Sequence, residues 1–123
     1  MYDKPLVMVL LQSIYSAAER ILVKMRTISC AEDFNASEEK RDSLDVICMQ
    51  LSAIGEGLKK IDKLTDGRLL LKYAEVDWKG LKGIRDVIAH QYFDISYEAV
   101  FDTCRNDIPI LIKSLRTIIK DIS

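Results

Sequence analysis

Apolar side chains recur every three or four residues through the first thirty positions: Leu6, Val9, Leu10, Ile14, Ala17, Ile21, Met25 and Ile28. That interval marks an amphipathic helix, which must bury one side against something else. It returns at Leu44, Ile47, Cys48, Leu51, Ile54, Leu58 and Ile61, then at Trp78, Leu81, Ile84 and Ile88. Tyr97, Val100, Phe101 and Cys104 open the last series, and Leu111, Leu115, Ile118 and Ile122 close it. No segment alternates with period two for long enough to form a strand. Five glycines and two prolines in 123 residues leave little material for turns, so the elements should be few and long. The expected fold is all-α, an up-and-down bundle of four main helices. The last of these is either broken at Pro109 or kinked there as one continuous helix. Residues 1–123 make a single domain with one core.

Local signals set the boundaries. Pro5 suits the first turn of the first helix. "CAEDFNAS" interrupts the pattern, and Ser37 can cap the second helix with Glu38 and Glu39 in its electropositive first turn. Gly55 and Gly57 sit among good helix formers, which points to the close approach of another backbone. "TDGR" ends that helix, "LLLKYAE" forms a short helical piece, and Asp77 caps the third helix. The pattern fails over "QYFD" and restarts from Asp94 or Ser96.

The composition is that of an ordinary globular domain, 49% apolar and 30% charged. A net charge of −1 excludes a broad cationic surface for nucleic acid; any such contact needs a local patch, assembled with a second copy. Three widely spaced cysteines, Cys30, Cys48 and Cys104, argue against zinc and against a disulfide framework. Cys48 and Cys104 fall on apolar helix faces, as buried residues of a reducing cytoplasm. No uninterrupted apolar run approaches the ~18 residues of a membrane span, and the expected location is cytoplasmic. The spacing implies no metal, Gly-rich phosphate loop or cofactor.

"GIRDVIAHQYFDIS", residues 83–96, holds the only histidine, His90. On a helix Arg85 and His90 lie ~140° apart and flank one face, while Asp86 sits one turn below His90. A carboxylate so placed can hold one ring nitrogen and favour the imidazolium. Arginine grips phosphate with two donors, and histidine carries protons near neutral pH. Together they suffice to cleave RNA without a metal, and two chains about a two-fold axis would bring two such sets to one cleft. A lone histidine near a helix C-terminus is also a common structural cap.

"RDVIAHQY" matches the R-x4-H-x-Y motif of HEPN-domain proteins, with Asp86 where Asn is frequent and Gln91 where Glu is frequent. "AIGEGLKK", the "Y…VDW" approach to the third helix, "LKGIRDVIAHQYFDIS" and "VFDTCRNDIPIL" extend the match, and the chain resembles the HepT group of HEPN toxins over residues 2–120. The resemblance implies a dimeric, metal-independent endoribonuclease whose Arg85 and His90 act in a cleft between subunits, with Asp86 beside them. It implies as partner a minimal nucleotidyltransferase antitoxin that silences the toxin by transferring AMP to Tyr92. It also offers Glu56 as a support of the active helix, beside an equal reading as a hydrogen bonder at the core edge. The alternative is an inactive HEPN module that only pairs with a nucleotidyltransferase. Lys79, Lys82 and Arg85 share a spacing that can line an RNA path, whereas Lys113, Arg116 and Lys120 read first as a solvated face and Trp78 as core.

Overall fold

The computed structural model describes residues 2–90 and 96–123, with the side chains of all but Ala89 and His90. Within them lie six α-helices: α1 (Lys4–Met25), α2 (Glu38–Thr65), α3 (Arg68–Leu71), α4 (Trp78–His90), α5 (Tyr97–Asp102) and α6 (Ile108–Ile122). A 3-10 turn (Ala31–Asn35) joins α1 to α2, and a π-helical turn (Thr103–Asp107) joins α5 to α6. No strand occurs among the described residues. Four main helical segments, with α5 and α6 as one, make the expected all-α bundle. Helix α2 packs against α1 on one side and α4 on the other, and α6 closes on α1.

Helices α1, α2, α4 and α5 each begin where a short polar side chain occupies an orphan N–H group. The Leu6 amide donates to Asp3 Oδ1, with Pro5 in the first turn. Ser37 Oγ accepts from the Lys40 amide at 3.1 Å, Asp77 Oδ1 from Gly80 at 3.0 Å and Ser96 Oγ from Ala99 at 3.2 Å. Of the two candidate restarts, Ser96 is thus a cap; Asp94 lies outside the described residues. Helix α2 stops at Asp66 and Gly67, both left-handed with φ of 59° and 69°, and the Gly67 amide reaches back to the Asp62 carbonyl.

Pro109 neither breaks the last helix nor starts a separately capped one, since Asp107 makes no side-chain cap. The backbone stays right-handed and α-like through Asp102, Thr103, Asp107 and Ile108. The Ile108 amide donates to the Thr103 carbonyl, five residues back. Pro109 has no N–H for the Arg105 carbonyl, and its ring would crowd that carbonyl in a regular α-turn. One widened turn relieves both problems.

The core runs the length of α2. Ile47, Leu51, Ile54, Leu58 and Ile61 are all sealed from solvent, and face Leu11 and Ile21 of α1, Leu81 of α4 and Leu111 of α6, equally buried. Averaged over 18 residues, α1 is long and apolar enough to cross a membrane, although no unbroken run is. Its Val7, Leu11, Ile14, Ala18 and Ile21 lie in this core instead of facing lipid or water. Phe34 of the 3-10 turn fills the far end and meets Tyr97 edge-on, ring centres 6.3 Å apart. Cys48 and Cys104 are buried, and burial pushes their thiols up to about 11 and about 12.

Candidate functional site

One glycine and one ion pair position α4. A Cβ on Gly55 would lie 2.9 Å from the Leu81 carbonyl oxygen, so the α2 and α4 backbones meet where only glycine fits. A Cβ on Gly57 would meet the Ile14 side chain of α1 at 2.9 Å, a contact with a side chain and not with a backbone. Lys82, half-buried, donates to Asp62 of α2 and forms an ion pair with it. Trp78 packs on the core while its Nε1–H donates to the Tyr73 carbonyl at 2.8 Å, anchoring the start of the helix.

This docking turns Arg85 outward. Its side chain is 52% exposed, the guanidinium stands 3.9 Å from Glu56 Oε1 across the α2–α4 seam, and Lys59 Nζ lies 3.5 Å from Glu56 Oε2. Glu56 therefore sits between two cations, one from each helix. Pairs this open and this long are worth at most ~1 kcal/mol and exchange readily with solvent ions. Asp86 and Val87 are also exposed on α4, and Ile84 and Ile88 face inward. The helix extends to His90, placing that residue about 7.5 Å along the axis from Arg85 and ~140° around it. The orientation of the His90 ring, its stacking on Asp86 and the placement of Tyr92 lie outside the described residues.

The structure thus brings Glu56 and Arg85 together and sets Arg85, Asp86 and His90 on one helix. Of the basic row, only Arg85 and Lys79 are exposed; Lys82 is engaged with Asp62. Among Lys113, Arg116 and Lys120, Arg116 is tied to Tyr15 of α1, donating to its hydroxyl at 2.8 Å with the guanidinium over the ring. Four tertiary bonds were not anticipated from sequence: Lys82–Asp62, Arg116–Tyr15, Tyr73–Asp121 and Ser114–Glu75. No local signal announces partners 20 to 101 residues apart. The Ser114 hydroxyl, donating at 2.7 Å, holds the Glu75 carboxyl below the usual carboxylate range.

A closed helical bundle with an exposed arginine five residues before a histidine on one helix is the arrangement of a HEPN-type domain. A family model described as "Ribonuclease HepT-like" matches residues 14–118, and the chain belongs to this family of HepT-like HEPN domains. Two Methanocaldococcus jannaschii proteins, "Putative RNase MJ0127" and "Putative RNase MJ1216", are 38% and 42% identical to it. Those matches cover 62% and 58% of this chain and 60% and 56% of the relatives, so the chain spans roughly three fifths of their length. "Probable ribonuclease HepT" of Thermococcus cleftensis is 34% identical over 82% of this chain and 84% of its own. No solved structure matches it.

Proposed function

We propose that the protein is a metal-independent RNA endonuclease, the toxin of a toxin–antitoxin pair acting in the cytoplasm. The observation that carries this reading is the exposed Arg85 on the helix that ends in His90, in a chain of the HepT-like family. Arg85 holds the scissile phosphate and steadies the charge that grows on it. The ribose 2′-oxygen attacks phosphorus and gives its proton to an imidazole. The P–O5′ bond breaks and the leaving 5′-oxygen takes a proton, leaving a cyclic 2′,3′-phosphate and a 5′-hydroxyl. One histidine per chain serves one of these transfers, so a homodimer cleft with two Arg85/His90 pairs serves both. Asp86, one turn from His90, favours the protonated ring.

In this reading the antitoxin is a minimal nucleotidyltransferase. It moves AMP from ATP to the Tyr92 hydroxyl with release of pyrophosphate. A phosphate-bearing group two residues from His90 then occupies the cleft and repels RNA.

The test is cleavage of a mixed RNA pool in EDTA by protein shown by intact mass to carry no AMP. The wild type is expected to cut, while His90→Ala and Arg85→Ala lose about 10²-fold or more in rate and keep their helical circular dichroism. Equal cutting by all three would overturn the assignment. Absence of cutting, together with AMP transfer to Tyr92 by the partner, would instead identify an inactive pairing module.

A further inference from the structure

At the end of the bundle remote from the 3-10 turn, the chemistry above leaves a concave surface without a role. The C-terminus of α2, α3, the end of α6 and Tyr2 ahead of α1 line a cleft of about 720 Å³, within the range of small-ligand sites. Lys63, Arg68 and Lys72 line it together with the side chains of Tyr2 and Tyr73. Asp66 and Asp121 also face it, but Asp121 is engaged: it accepts the Tyr73 hydroxyl at 2.7 Å, which fixes that ring. Cations beside aromatic rings on a concave wall hold a phosphate and stack a base.

Lys63 links the cleft to a groove that reaches towards Arg85. Lys63 lines a second, shallower groove between α1 and α2, which also contains Glu56, Lys59 and Lys60. Residues 56, 59, 60 and 63 fall on one side of α2 over about 10 Å. Glu56 in turn contacts Arg85. Positive charge therefore follows α2 from Arg85 to the cleft, with Glu56 as the one carboxylate lining this groove.

We propose that the end cleft is a subsite for one nucleotide of the RNA strand, several nucleotides removed from the phosphate at Arg85, with Lys59, Lys60 and Lys63 carrying the strand between them. The substrate class rests on the ribonuclease reading; the cleft and its cations do not. Such a subsite makes affinity depend on RNA length and leaves the bond-breaking step unchanged.

The experiment measures anisotropy of labelled, unstructured RNAs of about four and about twelve nucleotides, bound to the His90→Ala protein across a salt series. The comparison is the same protein with Lys63→Gln, Arg68→Gln and Lys72→Gln, its fold checked by thermal melting. The longer RNA should bind about tenfold or more weakly to the triple variant, and the slope of log affinity against log salt should fall by about 2, three lost contacts at ~0.7 each. The shorter RNA should be unaffected. Tyr73→Phe, which keeps the ring but loses the bond to Asp121, should retain the affinity for the longer RNA, and Tyr73→Ser should lose it severalfold.

Unchanged binding of the longer RNA, or equal losses for both lengths, would overturn the subsite. The two readings fail separately. Wild-type protein that cuts RNA, while the triple variant binds as its parent does, leaves the nuclease and removes the subsite. A length-dependent loss in protein that never cuts does the reverse.

Discussion

Glu56 shows how one side chain acquires meaning only from a neighbouring helix. In the sequence it is the single acidic residue of "AIGEGLKK", between two glycines. In the structure it stands between Lys59 on its own helix and Arg85 on another. Because all three side chains are about half exposed, Glu56→Gln should change stability by less than ~1 kcal/mol. By freeing Arg85 it should tighten RNA binding severalfold at low salt, an effect that fades as salt rises; anisotropy and thermal unfolding check the two halves. The row Lys79, Lys82, Arg85 was legible as a basic spacing, but its division of labour was not, since Asp62 lies 20 residues from Lys82. Lys82→Ala strands a largely buried carboxylate and should cost about 1–3 kcal/mol. Lys79→Ala, on the open side of α4, should stay within ~0.5 kcal/mol in the same urea titration.

Helix starts were the most legible features of the elements, because each cap acts over three residues: Ser37, Asp77 and Ser96 bind the amides that local rules assign them. The close backbone approach expected at Gly55 and Gly57 is present at Gly55, where the Leu81 carbonyl lies across the seam, whereas Gly57 meets the side chain of Ile14. Two things escaped. The sequence left Pro109 as either a break or a kink, and the widened turn between Thr103 and Ile108 is a third answer, in which the chain shifts one hydrogen bond instead of losing its course. The second is the difference between glycines, which depends on what lies across the interface. Gly55 faces a carbonyl oxygen at 2.9 Å, and Gly83 faces nothing within 4 Å. Gly55→Ala should therefore destabilise by about 1–3 kcal/mol despite alanine's better helix propensity, because a backbone must move. Gly83→Ala, in the same family of helix interiors, should stabilise by up to ~1 kcal/mol. Urea midpoints of the two variants shifting in the same direction would contradict the seam between α2 and α4.

Across the whole molecule, the seal of the core and the closure of its end are both measurable. A maleimide applied to native protein should label Cys30, the exposed thiol, and reach Cys48 and Cys104 only on denaturation, with intact mass counting the adducts. Burial, and then its bond to Asp121, pushes the Tyr73 hydroxyl up to about 12. The folded protein thus keeps this proton when the unfolded chain, at about 10, has released it. The stabilisation is whole below pH ~10 and is lost between ~10 and ~12, so Tyr73→Phe should flatten the stability profile in that window. That bond also joins a turn in the middle of the chain to α6, beside Tyr2 of the first residues. Tyr2 and Ile122 line one cleft, so the described chain is almost a closed ring with its seam there. Joined by a short linker across the seam and reopened near Ala36, between the 3-10 turn and α2, the ring should refold into the same bundle. The order in which the helices are strung is thus one reading of a circle, and its starting point can be moved without disturbing Arg85 or the seam it faces.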